Sequence, residues 1–180
     1  PKHFKVTKST PIAVDISVGD NKRTTRDILH VEGLFDGEPL HIMVNHWPSR
    51  TGGEKKSSPF REAAGRLNRK IMDSIYKINP NAKIITMGDL NDGTSNKSVK
   101  EGIGAKLKKS EVKPFGLFNP FEQFAKEGNA TIFYRDAGDI FDQIMVSETL
   151  IKKEYASLYG RPAAMGRGIR RRQSMPNAGS

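Results

Sequence analysis

The first periodicity in the chain is an alternation of apolar and polar positions. Residues 12–18 alternate enough for a strand, which Gly19-Asp20-Asn21 would turn. Residues 27–34 and 40–44 read as two further strands. Between them lies Phe35-Asp36-Gly37-Glu38, where Asp-Gly supplies the positive φ that a tight turn requires, so a β-hairpin is expected. In its second strand Leu40, Ile42 and Val44 share one face while His41, Met43 and Asn45 share the other. Pro48 stops the ladder just beyond, so His46 belongs at a strand's C-terminal end.

The period then lengthens. Phe60, Ala64, Leu67, Ile71, Ile75 and Ile78 recur every three or four residues, behind a Ser58 cap and Pro59 at a first helical position. One amphipathic helix from Pro59 to about Ile78 follows, ended by Asn79-Pro80-Asn81. Residues 83–87 make a short apolar strand that stops at Gly88-Asp89, giving the order strand, helix, strand. Residues 96–102 are expected as a short helix, 106–113 as a charged surface stretch, and 121–126 as a helical turn. Residues 131–134 and 140–146 read as the last strands, separated by Asp136-Ala137-Gly138-Asp139. Hairpins alternating with a crossover helix imply a mixed α/β layered fold without internal repeats. One folded unit is expected over residues 1–160. Over residues 161–180 Gly, Ala, Pro, Ser and Arg dominate, and a disordered basic tail is expected.

Composition narrows the chemistry. With 180 residues, 36% of them hydrophobic, one core is the default. No run approaches the ~18 consecutive apolar residues of a membrane helix, and the chain opens at Pro1 without an apolar signal core, which leaves its compartment open between cytoplasm and export. The absence of cysteine excludes disulfides and thiolate metal sites and turns any metal toward oxygen and imidazole ligands, which suit Mg²⁺, Mn²⁺ or Ca²⁺. Thirty Lys and Arg against twenty Asp and Glu give a net charge of +10, a field that favours polyanionic partners such as nucleic acid. Arg167, Arg170, Arg171 and Arg172 place part of that excess in the tail.

Three stretches carry candidate chemistry. In Ile85-Thr86-Met87-Gly88-Asp89-Leu90-Asn91-Asp92 an apolar strand ends in a carboxylate with an amide two residues on. Such a pair can orient a water and bind the phosphate oxygen beside the atom it attacks, with Gly88 leaving room for a ligand; a simple Asx turn is the alternative. In Val44-Asn45-His46-Trp47-Pro48-Ser49-Arg50 an imidazole, neutral donors and a guanidinium share a strand end. Imidazole can pass a proton to a leaving oxygen and guanidinium matches two phosphate oxygens, although His46 beside the only tryptophan also suits a structural histidine. In Phe141-Asp142-Gln143-Ile144, Asp142 has the parity of Ile140, Ile144 and Val146, which places one carboxylate on an apolar face. Such an acid orients a catalytic histidine, forms a structural ion pair, or faces water at a sheet edge.

In order and spacing, Asn45-His46-Trp47-Pro48-Ser49-Arg50, Gly88-Asp89-Leu90-Asn91-Asp92 and Phe141-Asp142-Gln143-Ile144 closely resemble the endonuclease/exonuclease/phosphatase superfamily. The resemblance spans residues 1–150 and includes the Asn119-Pro120-Phe121 and 131–135 segments of a bacterial branch. It implies part of a four-layer α/β sandwich, two packed sheets with helices outside, and Mg²⁺ or a similar cation (Mn²⁺, Ca²⁺) as cofactor. It implies that Asp89 orients and deprotonates the attacking water, that Asn91 holds a phosphate oxygen, that His46 lies near the leaving group, and that Asp142 orients a second histidine. Asp89 and Asn91 become the cation's oxygen donors here. Arg50 and Asn45 fall on the substrate side, Asn45 having a structural role as its alternative, as do Asp92 and Ser49. The family's metal-binding Asn and Glu precede the point where this sequence starts. Its closing Ser-Asp-His has no counterpart, since the four histidines are His3, His30, His41 and His46. The sequence therefore leads us to expect a partial, monomeric phosphodiesterase domain of impaired activity acting on DNA, RNA or another phosphate ester. A non-catalytic basic module that binds nucleic acid is the alternative.

Overall fold

The computed structural model describes residues 2–18, 20–134 and 137–152. The expected basic tail, 161–180, and the positions Arg135 and Asp136 lie outside them. At the centre is a mixed seven-stranded sheet. In chain order its strands are β1 (Phe4–Ile12), β4 (Ile28–Phe35), β5 (Glu38–His46), β6 (Ile84–Asp89), β7 (Ala105–Lys106), β8 (Leu117–Phe118) and β11 (Asp142–Ser147). Their spatial order is β1-β4-β5-β6-β11-β8-β7. Two small hairpins stand apart, β2 (Asp15–Val18) with β3 (Asn21–Thr24) and β9 (Ile132–Tyr134) with β10 (Ala137–Asp139). The fold is α/β, as expected.

The β4–β5 hairpin closes through Asp36 and Gly37 at φ 48° and 90°, the left-handed pair that the Asp-Gly dipeptide permits. Helix α1 (Glu54–Ile78) then carries the chain across one face so that β6 lies parallel to β5, from His41 beside Ile84 to His46 beside Asp89. The helix begins at Glu54 rather than at Pro59, which sits inside its second turn, where the absent N–H leaves the Lys55 carbonyl without a helical donor. The buried stripe of α1 is also more polar than hydropathy indicates, because Ser57, Arg61 and Asn68 share it with Phe60, Ala64, Met72 and Ile75. Ile78, expected on that stripe, is 89% exposed.

Under α1 lie Met43, Ile84, Thr86, Gln143 and Met145, all essentially inaccessible. Of these, Met43, Ile84 and Met145 each contribute about 1.5–3 kcal/mol through burial. Residues 98–103 form a π-helical stretch (Ser98–Ile103) that lies against α1 at Gly65, where an added Cβ would stand 2.5 Å from the Ser98 carbonyl oxygen. Beyond it come a 3₁₀ turn (Lys109–Glu111), α2 (Phe121–Lys126) and α3 (Glu148–Ile151). The stretch expected as a single strand over 12–18 is broken at Ala13 and Val14, and Ala137-Gly138-Asp139, expected as a separator, is strand β10.

The opposite face of the sheet carries two apolar rows in register. One is Leu29, Val44, Met87 and Ile144; the other is Val31, Ile42, Ile85 and Val146. No described element covers the first row: Leu29 is 39%, Val44 38% and Ile144 43% exposed. No described helix is long and apolar enough to cross a membrane.

Candidate functional site

Strands β5 and β6 are parallel and end side by side, and the carboxyl ends of such strands are where open α/β sheets bind ligands. His46 pairs with Asp89, and Asp89 with Asp142 of β11. Register partners present their side chains on the same face, so these three form one polar row that continues the two apolar rows. The His46 Nε2 stands 3.5 Å from Asp89 Oδ2, with the two side chains 40% and 34% exposed. That separation is an ion-pair distance once the imidazole is protonated, and is long for a hydrogen bond.

Asn91 turns the chain just beyond Asp89 in the left-handed region, at φ 51°. Asparagine tolerates this conformation because its short amide can bond locally. Its backbone N–H donates to Asp89 Oδ1 at 2.9 Å and its Nδ2 donates to the Trp47 carbonyl at 3.0 Å. The Trp47 N–H in turn donates to the Asp89 carbonyl, and the Leu90 N–H to that of Phe141. The turn is thereby stitched to the end of β5 and the start of β11, and the side chains of Asp89, Asn91, His46 and Asp142 meet at one edge.

Asp142 shares the face of Ile144 and Val146, as expected, and of the alternatives it takes the water-facing one: it is exposed, and the buried parity of β11 is Gln143, Met145 and Ser147. Two expectations are corrected. Asn45, expected on the substrate side, is 3% exposed and serves inside. Its Nδ2 donates to Thr86 Oγ1 at 2.9 Å, while its Oδ1 accepts from Asn68 Nδ2 at 2.6 Å and from Trp47 Nε1 at 3.2 Å. Gly88 leaves room for its own neighbour rather than for a ligand: at φ 132° an added Cβ would stand 2.0 Å from the Asn45 carbonyl oxygen. Arg50, expected as a possible phosphate contact, is also bonded within the chain. Its Nε donates to the Asn91 carbonyl at 2.9 Å, and its Nη atoms reach Glu54, Asp92 and Asp139 at 3.2–3.4 Å.

Beneath the turn is an ion pair that hydropathy does not reveal. Arg61 Nε lies 2.7 Å from Asp92 Oδ1, both side chains being fully buried. Ser98 Oγ donates to Asp92 Oδ2 at 2.6 Å, and Arg61 Nη1 donates to Ser57 Oγ at 2.8 Å. Gln143 Nε2 donates to the Asp92 carbonyl at 2.7 Å while Asn119 Nδ2 donates to Gln143 Oε1 at 2.7 Å. The signal for Arg61 was its spacing, since it falls on the helical stripe of Ser57, Ala64, Gly65 and Asn68.

Away from this edge, His30 Nε2 and His41 Nδ1 stand 3.0 Å apart with stacked rings. Burial holds both below the ordinary imidazole value, and for His41 the neighbouring His30 adds to the effect.

Asp89 and Asn91 offer a carboxylate and an amide oxygen to a cation, and Asp142 a further carboxylate on the adjoining strand. Hard cations take about six oxygens, and no group of three or more His, Asp or Glu among the described residues is arranged to hold a metal ion. These residues alone do not fit a complete cation site.

The fold recurs in solved structures. The human Nocturnin catalytic domain, with bound sulfate, is similar with a TM-score of 0.55 and 18% identity, covering 82% of this chain and 49% of that one. TDP2 of D. rerio in complex with single-strand DNA product gives 0.52 and 22% identity, covering 81% and 54%. Sphingomyelinase C of Streptomyces griseocarneus gives 0.51 and 14%, covering 81% and 50%. The chain thus spans about half the length of these structures. Compared by sequence with curated proteins, it has no match. The model of the Endonuclease/Exonuclease/phosphatase family matches this chain over residues 1–164, and the chain belongs to that family.

Proposed function

We propose that this chain carries the proton-transfer edge of a phosphate-ester hydrolase, acting on a phosphodiester of nuclease type. The observation that carries this reading is the register row His46, Asp89 and Asp142 at the ends of three adjoining strands, with Asn91 held in a left-handed turn beside it. Asp89 accepts a proton from the attacking water; its Oδ1 is already fixed by the Asn91 N–H, which leaves Oδ2, on the His46 side, to face that water. The Oδ1 of Asn91 accepts no hydrogen bond from the described residues, and in this reading the Asn91 amide orients a phosphate oxygen through the water it holds. His46, exposed and near Asp89, gives a proton toward the leaving oxygen. Asp142 adds a second carboxylate to the same edge, where it would attract a cation.

Enzymes of this family generally use divalent metals. Mg²⁺ or Mn²⁺ would supply charge neutralisation at the phosphate, and with only two or three protein oxygen donors among the described residues it would be held weakly, so slow turnover is the expectation. Two structures of similar fold, one in complex with single-strand DNA product and one with bound sulfate, agree with an anionic phosphate substrate. A second reading, a basic module that binds nucleic acid without turnover, is supported by the net charge of +10.

The two separate in one experiment. The chain is assayed with Mg²⁺ or Mn²⁺ on plasmid DNA and on bis-p-nitrophenyl phosphate, beside Asp89→Ala. Slow metal-dependent hydrolysis lost in Asp89→Ala supports the hydrolase. Salt-sensitive DNA binding with rates identical in both chains refutes it and leaves the binding module.

A further inference from the structure

We infer that Arg50 is a positioning residue that locks the Asp89–Asn91 turn, and not a contact of the substrate phosphate; this rests on the phosphate-ester reading above. A guanidinium that receives phosphate presents a free fork of planar donors. In Arg50 four of the five N–H donors are engaged. Nε donates to the Asn91 carbonyl at 2.9 Å, Nη1 to Glu54 Oε2 at 3.2 Å, and Nη2 to Asp92 Oδ1 and Asp139 Oδ2, both at 3.4 Å. One planar face lies 4.4 Å from the centroid of the Phe141 ring. Around it stand three carboxylates, of which Asp92 is shared with Arg61, so the surroundings attract the cation and repel an incoming anion.

What this geometry holds is Asn91. The residue lies in a left-handed conformation that costs an L-residue energy, and three bonds keep it there: its N–H to Asp89, its Nδ2 to Trp47, and its carbonyl from Arg50. Arg50 ties this turn at once to the first turn of α1, through Glu54, and to β10, through Asp139. Releasing the Asn91 carbonyl frees the turn, and with it the bond that fixes Asp89 Oδ1. A lysine cannot replace it, since a single ammonium has neither the Nε donor nor the flat face that Phe141 stacks on.

The test uses the 180-residue chain, Arg50→Lys and Glu54→Gln, followed by NMR. In Arg50→Lys the Asn91 amide is expected to exchange about tenfold faster, as befits one lost hydrogen bond, while the core amides of Ile84 and Met145 keep their rates. Glu54→Gln, which spares the Nε bond, is expected to leave Asn91 protected. In the unaltered chain titrated with inorganic phosphate, the Arg50 Nε–H signal is expected to stay in place while signals of Asn91 and His46 move. An Arg50 Nε–H signal that follows phosphate, or an Asn91 amide unchanged in Arg50→Lys, would overturn the inference. A uniform rise in exchange that includes Ile84 and Met145 would also overturn it, by reducing Arg50 to a general stabiliser. Should Arg50→Lys fail to fold, the phosphate titration of the unaltered chain decides. Silence of every signal toward phosphate counts against the phosphate-ester reading alone, and the exchange rates still decide the role of Arg50.

Discussion

Replacing Arg61 by methionine tests how the candidate site is supported from below. The substitution keeps side-chain length and apolar contact but strands Asp92, which is fully buried and has Arg61 Nε at 2.7 Å as its nearest cation. The remaining partners of the carboxylate are the Ser98 hydroxyl at 2.6 Å and Arg50 at 3.4 Å. Removing one member of a buried pair costs about 3–5 kcal/mol, because the other charge stays desolvated and uncompensated. Lost with it are the bonds from Arg61 Nη1 to Ser57 Oγ and from Nη2 to the Glu54 carbonyl, which join the first turn of α1 to the site. For a domain of this size each kcal/mol moves the melting temperature by about 2–4 °C, so a fall of roughly 6–20 °C is expected. Thermal and urea unfolding of Arg61→Met, Asp92→Leu and the double variant form the assay. The double variant is expected to regain most of the loss, since an apolar pair needs no compensating charge. A single variant that loses less than about 1 kcal/mol, or a double variant no better than the worse single, would refute the claim that desolvated charge sets the penalty.

The His30–His41 pair makes stability depend on pH. Burial lowers both from the ordinary value of 6.5, so the unfolded chain binds protons more readily, and the pair's contribution is present above about pH 6.5 and lost as pH falls below it; urea unfolding between pH 5 and 8 should show this slope, and His41→Gln should flatten it. Gly88→Ala is expected to abolish folding or to cost more than about 4 kcal/mol, because the clash is with backbone; Gly37→Ala, with open space around it, is expected to lose only about 1 kcal/mol for its positive φ, and circular dichroism melts compare the two. Met145→Ala should cost about 2–5 kcal/mol, whereas Ile144→Ala, one residue along on the open face, should cost clearly less in the same melts.

Where one face of an element is polar and one apolar, the chain announces itself. The β4–β5 hairpin was legible because its alternation meets an Asp-Gly turn, and the strand ending at Asp89 because an apolar run stops at glycine. That His46 and Asp89 each end a strand was therefore legible, while their standing side by side is set by the parallel register of β5 and β6. Strand β1 was not legible: Phe4–Ile12 is an edge strand, polar at most positions and largely exposed, so no hydrophobic pattern marks it. Which face of β11 is covered was not legible for a different reason. Strand β11 carries apolar side chains on both faces, and alternation alone cannot say which is covered; the helix covers the face of Gln143 and Met145. Asn45, Asn68, Thr86, Arg61 and Asp92 satisfy one another inside the protein, and such pairing is invisible to hydropathy because each residue, taken singly, belongs at the surface. Gly88 was correctly noticed but assigned the wrong neighbour, since only the parallel register of β5 and β6 brings Asn45 against it.

The polar row is the last rung of an otherwise apolar ladder, which makes the site's electrostatic strength a property of its hydrophobic neighbours. As the row stands, His46 and Asp89 are 40% and 34% exposed, and water weakens their attraction across 3.5 Å. Lowering the local dielectric from about 80 to about 20 would strengthen it roughly fourfold without moving an atom of either residue. The side chains that control this are Val44, Met87 and Ile144, none of which carries charge or takes part in proton transfer. A detergent, a crowding agent or a protein surface laid over them would therefore retune the histidine and the aspartate from a distance, and the wetness of the ladder becomes a variable to fix in any measurement made at its top.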